Sequence, residues 1–465
     1  MIFLFTIFFS LNVYSIVPPS TFDSSYISLE NSLLERGANN YKEAKTILSS
    51  EIVKSILNDV DNRVSDDFII PEYFKSSVFF WFNIYTQYSS KNVVIHDSTH
   101  LDLIYHVLDF DELYKSDIHR FAKAKLQSNL SQEYIGSLKK TLISLSKKKS
   151  LFKKYLNKEE ISMIQAIKNG NLTIPKNKKK RLKFFKNLAK NIRTQLGQRD
   201  KIYNGLARSI PYRPFIINLL HEFKLPQELL AISFLESSFN PAAVSKVAAS
   251  GVWQFMPYIS NLFMPKITEY YDYRSNPVIS SVAAFHLLKQ NKMILKKWDL
   301  AVPAYNSGTK HLVKARRKFK KVKNLSLEYI LERYDHAHLG FASKNFYSEF
   351  LALAHVLAYS EKIYPTKGLT NTSLTINNPG NLNIFVSKCT NSPENVFNAQ
   401  TQNKDYIHKL NSHLFKPNIK LKSGVLYVSD YEMDSQKFFK IDISYFKKHP
   451  PKKYPLLVKK MKCKL

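Results

Sequence analysis

Cysteine is almost absent from the 465 residues: Cys389 and Cys463 are the two, both near the C-terminus. That count excludes zinc sites built on paired CxxC motifs. In an oxidising compartment the two could close one disulfide over the last segment, and two unpaired thiols fit the sequence as well. Acidic residues are also scarce. There are 37 Asp and Glu against 69 Lys and Arg, a formal net charge of +32. Such an imbalance calls for an anionic partner or a tolerance of anionic surroundings, as supplied by nucleic acid, a membrane surface or an acidic polymer such as peptidoglycan. The excess is dispersed over Lys147 to Lys149, Lys176 to Arg181, Arg316 to Lys323 and Lys447 to Lys453, so each run taken singly reads as a solvated face. Internal repeats are missing. Beyond the N-terminus no charge-free apolar run approaches the roughly 20 residues a membrane span needs. What the chain does have is 44% hydrophobic and 13% aromatic residues, enough for two or three domains with real cores.

Residues 1–15, MIFLFTIFFSLNVYS, form an apolar run ending in Val13-Tyr14-Ser15, where Val13 and Ser15 suit the small positions of a signal-peptidase site. The basic segment that usually opens a signal peptide is missing, and an uncleaved anchor or a buried N-terminal helix is the alternative. Export to the periplasm or cell envelope is the expectation. No cysteine lies near the proposed cleavage site, which disfavours a lipid-anchored form.

The fold class expected is mainly α. Residues 16–200 read as an N-terminal helical region with Lys-rich outer faces, interrupted by Phe79 to Tyr85 and Val93 to Ile95, each a short strand or a packed loop. Residues 201–362 form a second helical block. After Tyr364 the composition turns to Thr, Asn, Gly and Pro, which marks a linker over 363–380. The last segment, 381–465, reads as a small βααβ module: strands at Leu382 to Val386 and Val425 to Val428, helices at Pro393 to Gln400 and Asp405 to Asn411, and a turn at Ser423-Gly424. His96 and His100 offer a histidine pair without a third ligand, more in keeping with a capping or surface cluster than with a metal site.

One carboxylate stands in the wrong place. The stretch from Leu225 to Pro241 reads as a single helix, with Pro226 in its first turn and Asn240-Pro241 as its stop. Helical steps from Glu236 reach Leu225, Leu229, Ile232 and Phe239, so Glu236 shares the stripe that should face the core. Glu228 falls in the first turn, where the helix dipole favours a carboxylate, whereas Glu236 falls in the last, where the dipole opposes it. Burial and dipole both raise the pKa of Glu236, as a general acid requires. A buried glutamate neutralised by Lys or Arg from elsewhere is the competing explanation.

Three short segments then occur in order: Glu236-Ser237-Ser238, Ala249-Ser-Gly-Val-Trp-Gln-Phe-Met-Pro257 and Ala304-Tyr-Asn-Ser-Gly308. With them the second block resembles the catalytic domain of the family 1 lytic transglycosylases, which is lysozyme-like. The resemblance implies cleavage of the β-1,4 bond between N-acetylmuramic acid and N-acetylglucosamine, leaving a 1,6-anhydro-muramyl end, with Glu236 as the single acid and base. It implies sugar contacts at Gln254 and Met256, a hydroxyl beside the catalytic carboxyl at Tyr305, and supporting places for Ser237 and Asn306. No second carboxylate is obviously paired with Glu236, as a two-carboxylate glycosidase would require. Purely structural readings remain open: Trp253 and Met256 as core, Gly251 as a turn, Asn306 as a helix cap. Gln254 and Tyr305 carry polar groups that must find partners in an otherwise apolar domain.

Departures from the family pattern are also informative. Asp272-Tyr-Arg-Ser-Asn-Pro277 is similar to the loop before the family's next helix, with Asn276 where Asp is usual. Phe341 to Glu349 is similar to the closing helix of the membrane-bound D-type subgroup, with Ala342 where a substrate-binding Glu is usual, and Pro303 is expected to bend a helix end. Trp81 to Asp97 looks like a segment common upstream of this class. The tail is similar to a degenerate LysM module, Cys389-Thr-Asn replacing its Gly-Asp-Thr, with glycan binding or a structural role both open. The resemblance implies no metal or other cofactor, peptidoglycan strands as partner, no specific nucleic acid, and a monomer, with peripheral association with the envelope left open. A goose-type hydrolytic muramidase and a non-catalytic glycan- or nucleic-acid-binding protein are the rival functions.

Overall fold

Helical periodicity and well-made caps dominate the described residues, which are mainly helical with two small antiparallel sheets among them. The computed structural model describes residues 47–334, 340–365, 382–388, 410–415, 423–433, 435 and 438–458. The segment 1–15, both cysteines, nearly all of the 363–380 linker and most of the two helices expected in the C-terminal module lie outside these residues. Two compact units are present, one made of 47–58 and Ile70–Asp200, the other of Asp59–Ile69 and the described residues from Lys201 onward.

In the first unit, the aromatic run Phe79 to Tyr85 is neither strand nor loop but the body of helix α1, Lys75–Thr86. Phe80, Trp81, Phe82, Ile84 and Tyr85 are all buried. A helix covered on nearly every side has no polar face, so its sequence shows no 3.6-residue period. Val93 to Ile95 does lie in a strand, β1 (Asn92–Asp97), central in a sheet between β2 (Ile104–Asp109) and β3 (Ile192–Leu196), with both pairings antiparallel. Helices α2 (Arg120–Lys147), α3 (Lys158–Asn169) and α4 (Lys178–Asn191) close a core of Leu142, Leu145, Met163, Ile167, Phe185 and Leu188. Asn157 and Glu160 make a capping box on α3, and Glu160 also pairs with Lys148 at 3.0 Å. The His96 to His100 segment enters a turn in which the Asp97 carboxylate accepts from the Thr99 and His100 amides. His96 itself is buried in β1, and burial lowers its pKa to about 4.

The second unit contains α5 (Arg213–Phe223), α6 (Ala231–Ser237), α7 (Pro257–Phe263), α8 (Pro277–Leu295), α9 (Pro303–Ser307) and α10 (Phe341–Ala358). The stretch read as one helix from Leu225 is instead a 3-10 turn, Gln227–Leu230, followed by α6, which stops at a left-handed Ser238. Glu228 lies in the first turn of that 3-10 segment, and its carboxylate accepts a hydrogen bond from the Ser65 amide at 2.7 Å, which holds the segment Asp59–Ile69. Pro303 stands at the first position of α9, directly after the short helix Trp298–Ala301 ends, where a missing N–H costs nothing. The C-terminal module has strands β4 (Asn383–Ser387), β5 (Leu426–Ser429) and an unforeseen third, β6 (Phe438–Lys440), ordered β5, β4, β6. Gly424 turns into β5 with a φ of 86°. Among the described residues no helix is long and apolar enough to cross a membrane.

Candidate active site

Glu236 lies in the last turn of α6, and the stripe it shares is inside: Leu225, Leu229, Ile232 and Phe239 are buried, and Glu236 is only 4% exposed. Burial raises its pKa to about 8, and the carboxylate of Glu349 on α10 adds to the rise. Both influences favour the protonated acid, and neither is a cation, so the explanation by a neutralising Lys or Arg does not account for its state. Glu349 escaped notice in the sequence because it is reached only through the packing of α10 on α6.

The chain turns sharply after Glu236. Ser238 and Phe239 have φ of 50° and 52°, a region costly for any side chain. Arg208 holds that turn, donating from Nε to the Phe239 carbonyl at 3.1 Å and from Nη2 to the Ser238 carbonyl at 2.6 Å. Beside it runs the loop Ala248 to Met256, also strained, with φ of 63° at Ala248 and 46° at Gln254. Gly251 adopts φ 79°, and a Cβ there would sit 1.7 Å from the Arg274 carbonyl oxygen, so only glycine fits.

Side chains from three directions hold this loop by its carbonyls. Ser237 Oγ donates to Val252 O at 3.0 Å, and Tyr305 Oη, from α9, donates to Trp253 O at 2.8 Å. Arg274 Nη1 reaches Ala248 O and Phe255 O at 2.5 and 2.9 Å, while its Nε and Nη2 grip the Asp272 carboxylate. Arg208 and Arg274 were not legible as site residues, since nothing in sequence separates a clamp from the many solvated cations of this chain.

Gln254 turns its amide back on its own loop, donating to Ala243 O and Gly251 O at 3.1 and 2.9 Å. Met256 is 39% exposed and so is not core, whereas Trp253 is fully buried with its indole N–H on Ser281. Tyr305 lies close enough to Glu236 for that carboxyl to help raise its pKa, together with the larger effect of burial. Asn306 does not cap a helix; its carbonyl oxygen accepts from Ser343 Oγ on α10 at 3.3 Å. Ser237, next to Glu236, and Gln254 and Tyr305 are thereby tied to one loop. What results is a protonated carboxyl in a rigid frame, able to give a proton to a leaving oxygen and take one back.

Comparison with known proteins covers the region of this site. Residues 215–327 match the transglycosylase SLT domain, a span that contains Glu236, the loop and Tyr305. Over 121 residues the chain is 34% identical to the membrane-bound lytic murein transglycosylase D of Escherichia coli strain K12, covering 26% of this chain and 27% of that protein. The protein of the same name from Escherichia coli O6:H1 matches with the same identity and coverage. A protein named for tributyltin chloride resistance, from an Alteromonas species, is 34% identical over 110 residues, 23% of this chain and 53% of its own. The chain thus spans about a quarter of the length of the first two relatives. Residues 215–327 are similar to the transglycosylase SLT domain, and a stretch of the chain is similar to a lytic murein transglycosylase.

Proposed function

We propose that this protein is a peptidoglycan lytic transglycosylase that cleaves the β-1,4 bond from N-acetylmuramic acid to N-acetylglucosamine and leaves a 1,6-anhydro end. The observation that carries the reading is Glu236: a carboxyl 4% exposed, raised to about 8, at the meeting point of the three motif segments. At neutral pH it holds its proton. In the first half of the reaction that proton passes to the glycosidic oxygen as the bond to C1 breaks. In the second half the C6 hydroxyl oxygen of the same muramyl residue closes on C1, and its proton returns to Glu236. Protons balance and no water is consumed. The family match over residues 215–327 supports this assignment, as does the fixed relation of Tyr305 to the carboxyl.

In this scheme Gln254 and Ser237 shape the loop, Met256 presents an exposed apolar surface to a sugar, and Asn306 orients the start of α10 through Ser343. Glycan strands of the cell wall are the partner, and work outside the cytoplasm follows from that substrate. The tail is assigned no glycan-binding role, for its LysM-like loop lies outside the described residues.

One feature favours a hydrolytic muramidase instead. Glu349 is a second carboxylate near enough to influence Glu236, as a general base for water would be. Mass spectrometry of digested cell walls separates the two. Anhydro-muramyl ends are expected, and reducing muramic ends without them would replace transglycosylation by hydrolysis. Glu236→Gln should abolish clearing of wall suspensions while leaving wall pull-down intact.

A further inference from the structure

The short loop Asp272 to Asn276 faces the catalytic loop on one side and the C-terminal module on the other. On the catalytic side Arg274 holds Ala248 O and Phe255 O, and its own carbonyl packs against Gly251. On the far side nearly every residue of the loop is bonded to the module. The Asp272 amide donates to His413 O at 2.8 Å, Ser412 Oγ donates to Ser275 O at 2.8 Å, and the Leu426 amide donates to Tyr273 Oη at 3.2 Å. The His413 ring stacks on Tyr273 with centroids 4.9 Å apart. Tyr270 and Tyr271 complete the module's core around Phe385, Leu414 and Tyr427.

Asn276 is the keystone of this contact, and its amide assigns every proton in it. Its Oδ1 accepts from the Val278 and Ile279 amides and so caps α8. Its Nδ2 is then the group that meets Leu410 O at 3.1 Å and His413 Nδ1 at 3.0 Å. His413 Nδ1 therefore accepts, which puts the ring proton on Nε2, where it donates to Leu426 O at 2.9 Å. Both residues are fully buried. The aspartate usual at this position in the resembled family would cap α8 equally well but would set an oxygen against Leu410 O and His413 Nδ1. Asparagine is the residue that the module requires.

We propose that the C-terminal module braces the active site: Asn276 and His413 fix the loop from which Arg274 positions Ala248 to Phe255. The proposal rests on the catalytic reading of Glu236 for its effect on turnover, and on the contacts alone for its effect on the loop. Asn276 and His413 are positioning residues, more than one step removed from the reacting atoms. Asn276→Asp keeps the helix cap and removes both donors.

In the full-length protein, Asn276→Asp and His413→Ala should each lower turnover of purified cell walls by about tenfold or more, the order that a misplaced catalytic frame costs. Wall binding by sedimentation should change by less than about threefold, because a brace acts on geometry rather than on affinity. The double variant should be no worse than the more severe single one, as two halves of one contact require. Amides of Ser250, Gly251, Gln254 and Phe255, all hydrogen-bonded within this region, should exchange with solvent faster in Asn276→Asp. Ser412→Ala, which removes one peripheral bond, supplies a milder variant should His413→Ala fail to fold, and is expected to show the same changes in smaller measure. Unchanged exchange at these amides in Asn276→Asp would overturn the brace whatever the chemistry, and singles whose effects multiply in the double would overturn it too. If Glu236→Gln still turns over walls, the catalytic reading falls, and the exchange measurement still decides the brace.

Discussion

Replacing Glu236 by glutamine should stabilise the protein progressively as pH rises, at the expense of its activity. Glu236 ionises near 8 in the folded protein, whereas an unfolded glutamate ionises at about 4.3. Between those values the folded chain holds a proton that the unfolded chain has released. Stability from this group is complete below about pH 4.3 and drains away at about 1.4 kcal/mol per pH unit until the folded carboxyl ionises near 8. The loss reaches about 4 kcal/mol at pH 7 and about 5 kcal/mol by the end of the window. Glutamine cannot ionise, so Glu236→Gln escapes the loss. Any fixed cost of the new amide shifts the difference by a constant and leaves the slope untouched. The assay is equilibrium unfolding of both proteins at half-unit steps from pH 4 to 9, with the difference in unfolding free energy plotted against pH. Titrating groups that do not sense Glu236 are common to both proteins and cancel. A rising difference that flattens near 8 is expected; parallel stability curves would refute the burial and protonation of Glu236 together.

Three further outcomes follow from the same geometry. Glu349→Gln removes the carboxylate that helps to raise Glu236, so the alkaline limb of the pH-rate profile for wall clearing should move to lower pH. Arg274→Ala strands the Asp272 carboxylate and two loop carbonyls in a buried place, and chemical denaturation should report a loss of about 3–5 kcal/mol. Tyr305→Phe leaves the Trp253 carbonyl without its donor, for a cost of about 1–3 kcal/mol in unfolding free energy and a clear fall in turnover.

What could be read from the sequence was whatever repeats locally. The shared buried face of Ile232 and Glu236 was legible because a helix spaces its buried residues regularly, and Val93 to Ile95, read as strand or loop, stood out because a fully buried strand reads as an apolar run. Helix α1 was not, since burial on nearly all sides erases the period that identifies a helix. The opening of the Glu236 helix as a 3-10 turn was hidden because Glu228 answers to Ser65, 163 residues away in sequence. Glu349, Arg208 and Arg274 were hidden for the same reason, their partners being set by tertiary packing. Asn276 showed itself as a departure from a pattern, and its cause appeared only with His413 beside it.

The grips on the catalytic loop share a property that bears on how such a protein can change. Ser237, Tyr305 and Arg274 bind Val252, Trp253, Ala248 and Phe255 through main-chain carbonyls, which every amino acid supplies. The frame thus makes few demands on which side chains the loop and its flanks present outward. Val244, Met256 and Tyr258 are exposed and can be exchanged without releasing a single one of these bonds. If the proposed function holds, the outward side chains that could meet a glycan are free to drift while the main-chain frame of the loop stays fixed.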